Sequence, residues 1–226
     1  MAIEIRILST IGMRTVLEEV APAFERARGC KVARIYDSSV ALMQRIDRGE
    51  TADAAVFTAA AIDDLIAQGK VEARTDLTRS FVGIAVRKGA PRPDIATPEG
   101  FKTAMLAAKS IARSKTGASG LYFADLIERL GLAGALNPKM IVEDGIVGRI
   151  AAHGDAEIAV QQISELMQAD GIDVVGPLPD ALQNITVFSA GVFKISAQTD
   201  LARAYVADLA SPAHAALVRA KGMEPV

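Results

Sequence analysis

Residues 110–131 read SIARSKTGASGLYFADLIERLG. The opening "SIARS" (110–114) is short and β-prone, while the stretch after the loop sets Phe123, Leu126, Ile127 and Leu130 at helical spacing. Between them lie seven small or polar residues, Ser114–Gly120, where a plain reversal needs only about two or three. Strand, glycine-bearing loop, helix is the repeating step of an α/β sheet. In such sheets ligands bind beyond the carboxyl ends of the strands, where the next helix begins. Helix N-termini there carry unpaired N–H groups and a partial positive charge, so this loop can bring backbone donors to an anion.

The same alternation extends outward over nearly the whole chain. Strands are predicted at 3–9, 31–37, 52–58, 81–87, 110–114, 139–143, 156–162, 173–176 and 185–194. Helical spacing joins Val16, Leu17, Val20 and Phe24, then Leu42 and Ile46, then Ile62 and Leu65. Gly29, Gly49, Gly69 and Gly131 stand where helices should stop. Pro22 falls inside the first helical pattern and predicts a kink or break, since an interior proline costs about 3 kcal/mol.

Composition narrows the function classes. Half of the 226 residues are hydrophobic, enough for one or two buried cores. A net charge of -2, with charges mixed in sign, argues against a nucleic-acid surface or a polybasic membrane anchor. No run of about 18 apolar residues is present, so no direct membrane insertion is expected. The lone Cys30 cannot form an intramolecular disulfide or a cysteine metal cluster, and neither a metal nor a cofactor is expected. "MAIEIRILSTIG" alternates like a strand and lacks a basic leader. The expectation is a cytoplasmic protein as the sequence stands, or a periplasmic one if an export signal preceded it.

No Walker loop, GxSxG elbow, HExxH or GxGxxG after the first strand is present. Attention therefore falls on the strand-to-helix loops: Ser9–Gly12, Asp37–Ser39, Thr58–Ala61, Ser114–Gly120, Asp144–Val147 and Gln161–Ser164. They are rich in hydroxyls, glycine and amides. In "DSSV" (37–40) one serine suffices as an N-cap and the other is left to spare. In "QQIS" (161–164) the carboxamides of Gln161 and Gln162 either donate to ligand oxygens or satisfy strand ends.

Five segments in register resemble a known group. They are "GCKVARIYDSSVALMQRI" (29–46), "ETADAAVFTAAAIDDLIAQGKV" (50–71), "TGASGLYFADLIERLGL" (116–132), "GDAEIAVQQISEL" (154–166) and "SPAHAALVRAKGM" (211–223). In order, these are similar to segments of the molybdate-binding-protein-like group of periplasmic substrate-binding proteins. The resemblance implies the two-lobe type II periplasmic-binding-protein fold, an α/β architecture of mixed sheets flanked by helices. Residues 1–79 plus 192–226 are expected to form lobe 1 and residues 80–191 lobe 2, with a ligand cleft between them.

The resemblance also implies a site. Ser39 matches a binding serine, Ser119 a backbone donor opening a helix, and Val147 a second backbone donor. The first-loop serine falls on Gly12, with Thr10 the nearest hydroxyl. Ser38, Ala60, Ala118, Gln161 and Gln162 complete the neighbourhood, Gln161 standing where the group has a tyrosine. Asp37 and that exchange argue against molybdate itself. Lys115, Arg14 and Arg149 supply charges that suit a carboxylate-bearing metabolite.

Two functions are expected from this. One is a substrate-binding protein of the ABC-transporter type, carrying a small anion (an oxyanion or a di- or tricarboxylate) to a transporter's membrane complex. The alternative is a cytoplasmic isomerase, because a branch of the group includes aconitate isomerase, which moves a double bond in a tricarboxylic acid. Such an allylic proton transfer needs a base, for which the candidates are Lys115, Asp37 and Glu165.

Overall fold

The structure is a computed structural model and describes residues 3–226. From the amino end the chain forms β1 (Ile3–Thr10), α1 (Arg14–Arg28), β2 (Cys30–Asp37), α2 (Ser39–Asp47), β3 (Ala54–Thr58) and α3 (Ala59–Ala67). Next come β4 (Thr75–Arg87), α4 (Pro98–Ala107), β5 (Ile111–Ser114), α5 (Ala118–Arg129), α6 (Ala133–Leu136) and β6 (Met140–Glu143). There follow α7 (Gly148–His153), β7 (Ile158–Gln162), α8 (Ile163–Leu166), β8 (Ile172–Pro177) and β9 (Ile185–Val192). The end is α9 (Thr199–Leu209), α10 (Ala215–Ala220) and β10 (Met223–Pro225).

The chain divides into two compact units. The first holds the residues up to Arg79 together with Thr186–Val226, and the second holds Ser80–Ile185. The second division falls at Ile185/Thr186, ahead of the 191/192 boundary read from the sequence. Its cause is pairing: β9 runs antiparallel to β3 from Thr58↔Phe188 to Ala54↔Val192, which ties the strand to the first unit.

In the first unit the strand order is β2-β1-β3-β9-β4, with β10 on β4. β1 is parallel to both β2 and β3. Strand alternation sends Ile5 and Ile7 to one face, where they pack with Val16, Leu17, Val20 and Phe24 of α1 and Tyr205 of α9. Leu8 points to the other face and joins Leu42, Ile46, Ile62 and Leu65 from α2 and α3. The phenol of Tyr205 and the ring of Phe24 meet edge to face at 4.9 Å.

In the second unit the order is β4-β7-β5-β6, with β8 on β4. β5 is parallel to β6 and β7, while β4 is antiparallel to β7 and β8, so the sheet is mixed. One face carries Phe101, Met105, Phe123, Leu126 and Ile127 against Val82, Ile84 and Val160. The other is alanine-rich, with Ala85, Ala112, Ala151, Ala156 and Ala159 packed with Val147 and Leu166.

Three readings of the sequence need correction. Pro22 lies inside α1, which continues to Arg28 without a break. Proline removes one N–H bond, but its ring is exposed, so the carbonyl it frees can be hydrated. β4 begins at Thr75, six residues before the predicted start, because Thr75–Ser80 is too polar to show apolar alternation. The three-residue β10 has no signal of its own and pairs only through tertiary contact with β4. The glycine stops hold: Gly29 has φ 62°, and Gly49, Gly69 and Gly131 lie in the same left-handed region.

Candidate functional site

Parallel register gathers the first unit's candidates at one sheet edge. Thr10 pairs with Asp37 at the carboxyl ends of β1 and β2, and Ser9 pairs with Val56 near the end of β3. A helical turn begins directly after each strand. Ser38 is the N-cap of α2, its hydroxyl accepting from Ala41 N–H at 3.1 Å. Asp37 Oδ1 accepts from Ser38 N–H at 2.7 Å, so that carboxylate serves the turn. Thr58 caps α3 in the same way.

Ser39, the spare serine of the pair, has a definite role. Its buried hydroxyl oxygen accepts from Thr58 N–H at 3.2 Å, tying the start of α2 to the end of β3. That leaves its own proton to donate. Ser39→Ala is expected to destabilise the fold by about 1–2 kcal/mol, because Thr58 N–H loses its acceptor in a part-buried place. Urea unfolding measures this, and a variant as stable as the parent would mean the bond carries nothing. Around it, Gly12 and Thr10 are buried and Ala60 is exposed. The Arg14 guanidinium lies 4.9 Å over the Tyr36 ring, a cation–π contact that holds it against β2.

The second unit repeats the arrangement. β5, β6 and β7 end together at Ser114, Glu143 and Gln162. Ser114 Oγ accepts from Gly117 N–H at 2.8 Å, and Lys115 N–H donates to the Glu143 carbonyl at 2.8 Å. Thr116 Oγ1 donates to Asp144 at 2.8 Å. The Arg113 guanidinium bridges two carbonyls, Ser114 O at 3.1 Å and Gly120 O at 3.3 Å. The stretch read from the sequence as a seven-residue loop is shorter: β5 ends at Ser114 and α5 begins at Ala118, so the three residues Lys115–Gly117 form a built turn that delivers α5 against the end of β5.

Gly117 and Gly120 enforce that approach. A Cβ on Gly120 would stand 1.9 Å from the Ser114 carbonyl oxygen, and one on Gly117 would stand 2.6 Å from Ser114 Oγ. The N-cap of α5, Gly117, offers no side chain, so no side-chain oxygen caps the first turn at Ala118 and Ser119. Ser119 is fully buried, and among the described residues its hydroxyl has no hydrogen-bond partner. A twelve-residue helix thus starts with an uncapped turn and an orphaned hydroxyl, donors of the kind that bind an oxyanion or carboxylate.

Other candidates are already engaged. Gln161 Oε1 accepts from Val147 N–H at 2.9 Å, and its Nε2 donates to the Gly145 carbonyl at 2.7 Å. Both ends of the Gln161 carboxamide thus hold the loop ahead of α7, and the Val147 N–H donates to it. Gln162 Oε1 accepts from Ser80 Oγ at 2.9 Å. Arg149 lines a hollow of about 590 Å³ with Glu143, Asp144 and Asp155, surroundings of the wrong sign for an anion. Lys115 is exposed.

Glu165 differs from all of these. It sits three residues past the N-cap of α8 and is 6 % exposed. Its Oε2 has no partner among the described residues, while Gln161 and the Gln162 N–H bond the carboxylate on its other side. Burial without an opposing cation pushes its pKa up to about 7, only partly offset by those two bonds.

Sequence reading missed two contributors, Arg113 and Ser80, and placed Ser114 in a candidate loop without giving it a role. Ser114 had a signal, a serine three residues ahead of a glycine at a strand end. Arg113 and Ser80 act through contacts that no local pattern announces. Among the described residues no group of three His, Cys, Asp or Glu side chains is arranged to hold a metal ion.

Comparison with known proteins places this geometry. A family model described as bacterial extracellular solute-binding protein matches residues 5–224. An aconitate isomerase from a Pseudomonas species is 36% identical over 229 residues, covering 97% of this chain and 87% of the relative. Among solved structures, the periplasmic molybdate-binding protein of Azotobacter vinelandii superposes with a TM-score of 0.80 at 18% identity, covering 97% of this chain and 98% of that one. The sulfate-binding protein of Mycobacterium tuberculosis gives 0.74 at 18% identity, with 99% and 87% covered. At those identities the structural matches speak for the fold.

Proposed function

The chain belongs to the bacterial extracellular solute-binding proteins, and from that premise we propose that it binds a small anion at the N-terminus of α5. The observation that carries this reading is the orphaned, fully buried Ser119 hydroxyl beside an uncapped first turn. Neighbours of the same fold named for molybdate and sulfate support an oxyanion as the ligand class, and the relative named aconitate isomerase supports a carboxylate. A backbone-lined site of this kind balances negative charge with N–H dipoles and needs no cationic side chain.

Thermal unfolding in the presence of molybdate, sulfate, phosphate, citrate and cis- and trans-aconitate tests the reading. A ligand at a hundredfold excess over its dissociation constant should add about 2.7 kcal/mol of stability. Ser119→Ala should weaken the responding anion about tenfold, the worth of one net hydrogen bond. No response to any of the anions rejects the proposal.

A second reading rests on one specific finding, the 36% identity to an aconitate isomerase across 97% of the chain. In that reading the anion is an unsaturated tricarboxylate, and the protein moves its double bond in the cytoplasm. In the receptor reading it works in the periplasm and hands its ligand to a transporter's membrane complex. No described helix is long and apolar enough to cross a membrane.

A further inference from the structure

The isomerase reading requires a group that takes a proton from one carbon and returns it to another. Of the three carboxylate and amine candidates, Asp37 is bound to the Ser38 N–H and Lys115 stands exposed in its loop. Glu165 is buried at the carboxyl end of β7, the same edge at which β5 delivers α5. One of its oxygens is held by Gln161 and Gln162, and the other, Oε2, is bare.

A cap alone does not account for this carboxyl. Glu165 is three residues past the N-cap Gln162 and accepts its backbone N–H, which is the reach of a capping box. Glutamine fills that role equally well and carries no cost of burying a charge. The orphaned oxygen is likewise outside the cap's needs, and leaving it unmet costs about 1–3 kcal/mol. The elements packed on this turn are β7, β8, β4 through Ser80 and Gly83, and α7 through Gly148. On β4, Asp76 is paired with Arg74, and Arg79 and Arg87 are exposed; on α7, Arg149 and His153 line the hollow beside Glu143 and Asp144. β7 has no charged residue, and Asp173, the single charged residue of β8, is engaged by Gly89 N–H at 3.0 Å and by Arg92 at 3.8 Å.

We propose that Glu165 is the proton carrier of the isomerase, with Oε2 as the reacting atom. The inference rests on the isomerase reading. Ionised Oε2 removes a proton from the methylene carbon of the bound tricarboxylate. The C–H electron pair becomes the new C=C bond, and the old π pair moves to the former vinylic carbon. The neutral carboxyl then gives its proton to that carbon. One proton leaves and one returns, so no oxidant or co-reactant is needed. A carboxyl that titrates near neutrality is stronger as a base than an ordinary one and still ionises at working pH.

The experiment follows trans-aconitate in deuterated water by proton NMR, with wild type, Glu165→Gln and Glu165→Asp. Glu165→Gln should lower kcat by about 10²- to 10⁴-fold, the usual contribution of a general base, and leave the dissociation constant within about threefold. Wild-type kcat should rise with pH through a single ionisation and level off, while the residual rate of Glu165→Gln should be flat across it. Glu165→Asp keeps a carboxyl one methylene short and should fall between the two. If wild type turns over and Glu165→Gln keeps kcat within threefold, the carrier is another group and the isomerase reading stands. If wild type binds aconitate and neither isomerises it nor exchanges its methylene protons, both fall. Carbon NMR of the Glu165 carboxyl adds an arm independent of turnover: a titration in the ordinary carboxylate range counts against the proposal.

Discussion

Gly120→Ala is expected to destabilise the protein by about 3 kcal/mol or more, at the top of the range for overpacking. The new methyl would meet the backbone of β5, with Ser114 O at 1.9 Å, C at 2.6 Å and Cα at 3.0 Å. No rotamer relieves a backbone contact, so α5 must lift from the strand end. That movement also breaks the Arg113 bridge between Ser114 O and Gly120 O. Gly134→Ala is the matched control, since its Cβ would meet nothing within 4 Å and it lies in the helical α6. There the substitution should be neutral or stabilising by up to about 1 kcal/mol. Urea unfolding of both variants decides the matter. A Gly120→Ala protein within about 0.5 kcal/mol of the parent would show that the loop has slack. In the anion-binding reading the same variant should lose the ligand response, because it displaces the donors at Ala118 and Ser119.

How much of this could be read in advance follows from how local each feature is. The βα alternation, the glycine stops and the importance of Ser114–Gly120 are written in short windows, where apolar spacing and φ preference act residue by residue. Ser38 as the cap of α2 is local in the same sense, three residues from its partner Ala41. The failures involve distance. Gln161 is spoken for because Val147 and Gly145, fourteen and sixteen residues earlier, fold back onto it. Gln162 is held by Ser80, eighty-two residues away. The spare serine, Ser39, works on Thr58, nineteen residues on. Composition gave no reason to prefer Glu165 over Asp37 or Lys115 as a base. What separates them is burial and an absent partner, and these exist only once α8 has packed on β7 and β8.

That burial has a thermodynamic signature independent of any ligand. In the unfolded chain Glu165 ionises at an ordinary 4.5, whereas in the fold desolvation holds its proton up to about 7. Below pH 4.5 both states carry the proton and Glu165 contributes no pH dependence. Between 4.5 and 7 the unfolded state has released the proton and the folded state has not. The folded chain then binds more protons, and its stability falls as pH rises. Above about 7 both are ionised and the loss is complete. The gap amounts to about 3 kcal/mol at 1.36 kcal/mol per pH unit. Glu165→Gln has no proton to lose, so its stability relative to wild type should climb by about that amount across the window and then level. Taking the difference between the two proteins at each pH cancels every other titrating group that the substitution leaves undisturbed. Urea unfolding from pH 4 to 8.5 gives the curve. A difference that stays flat would mean that water or a cation reaches Oε2 and that the carboxyl titrates as an exposed one does. A rise in the opposite direction would mean that the ionised form is the one the fold prefers, and Oε2 would then have a donor in place before any ligand arrives.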